Sequence, residues 1–249
     1  MLKDDKIRQD IHNSDIPVVC RACEARHRGI CGALSPAQLT ELSKHTTKTV
    51  YAAESEIAPV GQAITRHASI LSGVVKLSKL TADGRQQIVG LQFAPDFLGR
   101  PFARHSDVTV EAANDVKVCA FPSTLIESMV RQSPELEHKL HEQTLKELDE
   151  ARDWMLTLGR KTASEKVASF LYLIATHIDP EVEAADGLVC FDIPLKRTDI
   201  ADFLGLTIET VSRQLTKLRH AGVINIINNR TVEVPDLNRL RRMTEQDNA

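Results

Sequence analysis

The chain has 249 residues, 42% of them hydrophobic and 26% charged, enough apolar text to bury a core and too much for a disordered or collagen-like polymer. Its 31 basic and 34 acidic side chains leave a formal charge of −3, so the molecule is no polycation and any nucleic-acid contact has to come from a local patch. No apolar run approaches the roughly 20 residues that span a bilayer, and Met1–Asp10 mixes three acids with three bases around no apolar core, which excludes a secretory leader; a cytoplasmic protein with no membrane partner is expected.

Five cysteines are an odd number for a disulfide framework. Cys20, Cys23 and Cys31 crowd the N-terminus, Cys119 stands far away, and Cys190 lies beside Phe191, where a buried thiol is expected. In a reducing compartment such clustering points to metal or redox chemistry. His27, between Arg26 and Arg28, reads as a solvated histidine rather than a ligand.

Changes of hydrophobic period divide the chain into four zones, 1–45, 46–132, 133–160 and 161–249. The first holds the cysteine cluster and a short helix over Pro36–His45, capped by Ser35 with Pro36 at its first position. The second reads as a small antiparallel roll with strands at 63–65, 69–78, 85–92, 108–110 and 116–121. Asp83-Gly84 marks a hairpin turn of the two-residue type, because glycine tolerates the positive φ that such a turn requires.

The third zone opens at Ser133-Pro134-Glu135, a cap, a first-turn proline and an acid at the positive helix end. Nothing breaks the helix from Leu136 to Gly159, roughly 36 Å of rod. Along it Thr144, Leu148, Ala151, Met155 and Leu158 are spaced 4, 3, 4, 3, which reads either as the seam of two helices packed in parallel register or as the stripe of a helix lying on its own domain's core; Leu140, Leu145, Trp154 and Leu156 lie off the seam and can face the chain's own core at the same time.

In the fourth zone a helix over Ala163–His177 carries Val167, Phe170, Leu171 and Ile174 at helical spacing, a loop holds Asp179-Pro180 and Asp186-Gly187, and a strand spans 188–193. From Lys196 to Gly222 the text reads helix, tight turn, helix: Thr198 can cap the first, Gly205 ends it in the left-handed conformation, and Thr207 caps the second. Ala201 lets the helices cross, and Ile200, Leu204, Leu206, Val211 and Leu215 supply a shared core. Strands at 223–227 and 231–234 around Asn228-Asn229-Arg230 complete a winged helix-turn-helix.

Glu209, Ser212 and Arg213 lie at i, i+3 and i+4 and share one face of the second helix. Arginine forks onto guanine O6 and N7, glutamate accepts from cytosine N4, and serine touches thymine or a phosphate; the bland alternative is an i,i+4 surface pair of Glu209 with Arg213. Lys196, Arg197, Lys217, Arg219 and Arg230 are candidate phosphate contacts. From residue 196 onward nine Lys and Arg face seven acids, a net of +2, a patch rather than a basic tail.

The order cysteine cluster, β-roll, long helix, winged helix, with the run Leu204-Gly205-Leu206-Thr207-Ile208-Glu209-Thr210-Val211-Ser212-Arg213, resembles the CRP/FNR superfamily of bacterial transcription regulators over nearly the whole chain, and most closely the FNR-type oxygen sensors of the FnrL-like branch. The resemblance implies an α+β protein with a cyclic-nucleotide-binding-like roll, a dimerisation helix and a C-terminal winged helix. Glu209-x-x-Ser212-Arg213 matches the recognition triplet for a TTGAT half-site in a palindrome, with double-stranded DNA, a second copy of the chain and RNA polymerase as partners of an activator.

Where cyclic-AMP receptors place an arginine before the glutamate, this chain has Ile208. Phe97-Leu98-Gly99-Arg100-Pro101 aligns with their phosphate cassette, but Arg100 stands where they have a ribose-binding glutamate, and their Arg-Ser pair is replaced near Val108-Thr109. No cyclic nucleotide is therefore expected.

Cys20-x2-Cys23, Cys31 and Cys119 bring four thiolates, which suit iron or zinc alike. The resemblance implies an oxygen-labile [4Fe–4S] cluster, with Cys119 ahead of Phe121-Pro122 as the distant ligand and seven residues between Cys23 and Cys31 as in the FnrL-like branch. Family members carry an aspartate at the seam position of Ala151, and alanine cannot repel its counterpart across a dimer. A zinc-stapled structural protein is the alternative from another class, and a regulator of the same superfamily sensing another signal is a third reading. No Gly-rich phosphate loop, nucleophile elbow or paired histidine ligands suggest an enzyme.

Overall fold

The computed structural model describes residues 16–178, 188–228 and 230–245. These fall into two compact units, one drawn from 16–75 and 92–147, the other from 76–91 and 148–245. The loop signals Asp179-Pro180 and Asp186-Gly187 lie outside the described residues.

The first unit begins with short pieces: α1 (Val18–Arg21), α2 (Glu24–Arg28), a single 3-10 turn at Ile30–Ala33 and α3 (Pro36–Lys44). The expected cap of α3 is present as a reciprocal pair, Gln38 N donating to Ser35 Oγ and Ser35 N to Gln38 Oε1, which satisfies two otherwise orphaned helix-end amides. The β zone forms two four-stranded sheets. One has the order β1 (Thr47–Tyr51), β8 (Val116–Pro122), β3 (Arg66–Ser72), β6 (Phe97–Leu98); the other has β2 (Glu56–Ala58), β7 (Thr109–Ala112), β4 (Val74–Leu80), β5 (Gln86–Phe93).

The β zone departs from expectation in several places. The run 69–78 is two strands, because Gly73 adopts φ +90° and a Cβ there would sit 2.4 Å from the Asp115 carbonyl oxygen, a bend open only to glycine. Residues 63–65 are no strand; Ala63 makes a single bridge to His105. The turn after β4 is longer than two residues: Thr81 N donates to Arg85 O and only Gly84 has positive φ, so three residues, 82–84, close the loop. The zone also ends in a helix, α4 (Ser123–Gln132), rather than in sheet.

Ile16, Ile30, Leu34, Phe97, Phe121 and Leu136 belong to one buried apolar cluster of the first unit, against which Cys20, Cys31 and Leu140 pack. The cysteine-bearing segment is thereby held by the roll and by the start of the long helix α5 (Pro134–Arg160), whose first turn is capped by Leu136 N donating to Ser133 Oγ.

At 27 residues α5 runs about 40 Å. Thr144, Leu148, Ala151 and Met155 are exposed, Leu148 at 44% and Met155 at 73%, while Leu158 is half-buried. Of the off-seam residues, Leu140 packs on the first unit's core and the Trp154 ring lies 4.4 Å from that of Phe203. Leu145 and Leu156, also offered to the core, are instead exposed, because they fall outside the arc of the helix that meets the body of the chain.

In the second unit α6 (Ala163–Ile178) buries Val167, Phe170, Leu171 and Ile174 completely. α7 (Arg197–Leu204) and α8 (Ile208–His220) follow strand β9 (Val189–Asp192), and β10 (Asn225–Ile227) with β11 (Thr231–Val234) form the wing, joined by β9 in a sheet of order β10-β11-β9. A last helix, α9 (Leu237–Arg242), closes the unit. Cys190 is exposed, against expectation: β9 alternates strictly, turning Val189 and Phe191 inward and Cys190 out. Leu206 is half-buried, whereas Ile200, Leu204, Val211 and Leu215 form the core as expected.

In this unit Lys76 Nζ lies 3.0 Å from Asp199 Oδ2, with both side chains buried, and Gln87 Nε2 donates to Phe203 O at 3.2 Å. Among the described residues no helix is long and apolar enough to cross a membrane.

Candidate DNA-reading surface and cysteine site

The turn between α7 and α8 is set by backbone chemistry. Gly205 sits at φ 61°, ψ 43°, and its N–H donates to Ala201 O, closing α7 in the left-handed cap that a Cβ would resist. Thr207 Oγ1 then accepts from Thr210 N and starts α8. The first helix differs from expectation: its cap position is Lys196, without a side-chain cap bond, and Thr198 lies inside the first turn.

α8 is two-faced. Val211, Gln214, Leu215 and Leu218 are buried, whereas Glu209, Ser212, Arg213, Lys217 and Arg219 are exposed. The Glu209 carboxyl is held below the usual carboxylate range, first by its own backbone N–H and then by the Thr207 hydroxyl, so it faces solvent ionised and able to accept. The Arg213 guanidinium lies 3.5 Å from Thr210 Oγ1. An acceptor, a hydroxyl and a fork of donors thus share one exposed helix face, the chemistry that reads base edges in a major groove.

Of the phosphate candidates, Lys217 and Arg219 share that face, Lys196 is exposed at the start of α7, and Arg230 is exposed at the wing turn. Arg197 is half-buried, and burial disfavours its charged form. Arg239, which the sequence reading passed over, donates from Nη2 to Ala221 O at 2.7 Å and from Nη1 to Gly222 O at 3.3 Å, tying off the end of α8. Local pattern carries no signal for it, since its partners lie on another element.

The N-terminal cysteines and Cys119 of β8 line one cavity: Cys20, Cys23, Cys31 and Cys119 face it together with Lys48 and Ser69. The space between its atoms, counted with the solvent it opens to, is about 470 Å³. Among the described residues no three His, Cys, Asp or Glu side chains stand in the arrangement of a metal site, so the sulfurs share a cavity rather than a formed coordination sphere. The seven residues between Cys23 and Cys31 are accommodated by α2 and a close turn. A Cβ on Gly29 would lie 2.7 Å from Ala25 O, and one on Gly32 2.9 Å from Arg26 O, so both glycines are required by packing, a signal the cysteine spacing alone does not reveal.

Burial pushes the Cys31 thiol up to about 12, reinforced by Cys119, Cys23 and Cys20, with the Ser69 hydroxyl acting the other way. Cys119 is raised by burial and then by Cys23 and Cys20, and Cys20 by burial and then by Cys23. A cationic metal core would relieve this mutual repulsion. Among the described residues neither carboxylate nor imidazole lines the cavity, and four sulfur donors fit an iron–sulfur cluster or zinc. His27 is exposed, with Nε2 3.1 Å from Arg26 Nη2.

In the cassette segment Arg100 is exposed and ion-paired with Asp107. A Cβ on Gly99 would overlap the buried His67 ring.

Residues 165–243 match the Crp-like helix-turn-helix domain and residues 48–133 the cyclic nucleotide-binding domain. The chain is 54% identical to a probable transcriptional activator of Rhizobium leguminosarum bv. viciae, over 96% of this chain and 98% of that protein. It is 39% identical to the transcriptional activator protein FnrL of Cereibacter sphaeroides, over 91% of this chain and 93% of that one. The solved structure of FixK2 from Bradyrhizobium japonicum superposes with a TM-score of 0.71 at 30% identity, covering 81% of this chain and 98% of that one.

Proposed function

The chain belongs to the CRP/FNR family of transcription regulators, and on that premise we propose that it is an oxygen-responsive activator, that Cys20, Cys23, Cys31 and Cys119 hold a [4Fe–4S] cluster, and that α8 reads a TTGAT-type palindrome as a homodimer. The coarser statement, a DNA-binding transcriptional activator of the FNR and FixK kind, rests on the relatives and on the helix-turn-helix domain. The observation that carries the finer reading is the convergence of the N-terminal thiols and Cys119 on one cavity.

When bound, the cluster supplies an iron–sulfide core that dioxygen attacks. The chain's own part is to bring four thiols together, give up their protons on binding, and tie the segment to the dimerisation helix. Ile30 and Leu34 share a buried cluster with Leu136, against which Leu140 packs, so order in the cysteine segment bears directly on the first turns of α5. Farther along that helix the exposed Thr144, Leu148, Ala151 and Met155 offer a seam to a second copy in parallel register, which would set two recognition helices one DNA turn apart. Ala151 brings no charge to that seam, so the dimer persists without the cluster and oxygen alters DNA affinity more than oligomeric state.

At the DNA, Arg213 forks onto guanine, Glu209 accepts from cytosine and Ser212 meets thymine or a phosphate, while Lys196, Lys217, Arg219 and Arg230 hold phosphates. RNA polymerase is the further partner of an activator. The Arg100–Asp107 pair supports a roll that takes no cyclic nucleotide.

Anaerobic purification followed by iron and sulfide analysis tests the sensing part: a visible band that bleaches in air, and lower iron content in Cys119→Ala, are expected. A colourless zinc protein with unchanged operator binding overturns it. Sedimentation of anaerobic and air-exposed samples tests the dimer, and a wholly monomeric aerobic form contradicts the role given to Ala151.

A further inference from the structure

Among the described residues, Ser43, Thr46 and Ser69 are the hydroxyl-bearing residues that border the cysteine cavity. Ser43 Oγ donates to Thr40 O at 2.8 Å, and Thr46 Oγ1 donates to Ser43 O at 3.0 Å. Ser69 differs: its side chain is buried at 4% exposure, and its Oγ makes no hydrogen bond of normal geometry to any described residue. A buried hydroxyl left unpaired carries an uncompensated desolvation cost.

Its place in the sheet says where that hydroxyl is directed. In the antiparallel register Ser69 of β3 stands opposite Cys119 of β8 on one side and Phe97 of β6 on the other, and Cys119 stands opposite Lys48 of β1. Directly opposed residues share one face of a sheet. The row Lys48, Cys119, Ser69, Phe97 therefore crosses the sheet on a single face, and its first three members border the cavity along with Cys20, Cys23 and Cys31.

We infer that Ser69 is a positioning residue that donates a hydrogen bond to a ligand sulfur at the cavity when the four cysteines hold their cluster. The inference rests on the cluster reading above. A hydrogen bond donated to a ligand sulfur favours the more negatively charged, reduced state of an iron–sulfur site and raises its potential, so Ser69 slows loss of the cluster in air without ligating it.

The test compares anaerobically purified full-length wild type, Ser69→Ala and Ser69→Thr by iron and sulfide content, reduction potential and decay of the visible band after exposure to air. Ser69→Ala is expected to load as wild type does, to show a lower potential and to bleach on the order of tenfold faster, with Ser69→Thr close to wild type. Wild-type potential and decay in Ser69→Ala overturn the inference while leaving the cluster reading standing. If Ser69→Ala fails to load, a loaded Ser69→Thr with wild-type decay sustains the role of the hydroxyl, and an equally empty Ser69→Thr overturns it. Wild-type protein without iron removes the cluster reading and this inference together.

Discussion

In α8, Glu209, Ser212 and Arg213 project from a thirteen-residue helix whose opposite face, Val211, Leu215 and Leu218, is at most 3% exposed. Between Val18 and Ala33, by contrast, the longest helix has five residues and neither α1 nor α2 has a side-chain N-cap bond. Helices that short do not persist alone in water, and this stretch is held by Ile16, Ile30 and Leu34 packed on Phe97, Phe121 and Leu136. The candidate reading surface is thus built into one element and carried by it, whereas the candidate cysteine site exists only while distant parts of the first unit stay packed. A surface of the first kind loses specific contacts one side chain at a time; a site of the second kind fails with its supports.

The largest expected effect strikes that support. Phe121→Ala removes a fully buried ring beneath the cysteine segment and is expected to cost about 3–5 kcal/mol, read by denaturant unfolding. It should also speed thiol-reagent labelling of Cys31. Cysteines that stay protected while the unit is destabilised would break the contrast, because the segment would then hold itself.

Arg213→Ala comes next, at about 1–3 kcal/mol of operator affinity with the guanine position relaxed and no change in unfolding midpoint, measured by binding to operator and single-base variants. Equal loss on every sequence would reduce Arg213 to a phosphate contact. Thr207→Ala removes the cap of α8 and is expected to cost about 1 kcal/mol of stability in thermal unfolding, while the circular dichroism of the folded protein keeps its helix content. Loss of α8 as a whole would show that the element depends on its cap more than on its buried face.

The smallest effect is electrostatic. Asp202 titrates above its ordinary value because burial penalises its charge and Asp199 repels it, with Lys76 acting the other way. A carboxyl raised on folding favours the folded state at low pH, and that contribution is lost as pH rises from its ordinary value through the raised one. Asp202→Asn is therefore expected to stabilise the protein slightly near neutral pH, with a gain that disappears in acid; a gain constant with pH would point to packing instead.

The two regions were legible to different degrees. Ser35, Ser133, Gly205 and Thr207 announced helix ends, and each does its work within three or four residues of itself. The apolar stripe of α6 and the division of α8 into buried and exposed faces follow from the 3.6-residue period alone. Strand boundaries were harder: the break at Gly73 comes from the Asp115 backbone, and the strands β1, β2 and β6 are too short or too charged to show a period. Thr198 was mistaken for a cap because a threonine near a helix start satisfies the rule at several neighbouring positions, and backbone angles select among them.

The sequence by itself determined the order of elements, most of the helix caps and the exposed polar face of α8, since all of these depend on interactions between near neighbours or on side-chain chemistry. Only the tertiary structure decided that Cys119 meets Cys20, Cys23 and Cys31 at one cavity, that Ser69 stands in the same row as Cys119, that Arg239 ties off α8 and that Cys190 faces outward. Each of these turns on strand register or on a contact between residues far apart along the chain, and a shift of one residue in register would carry every such side chain to the opposite face.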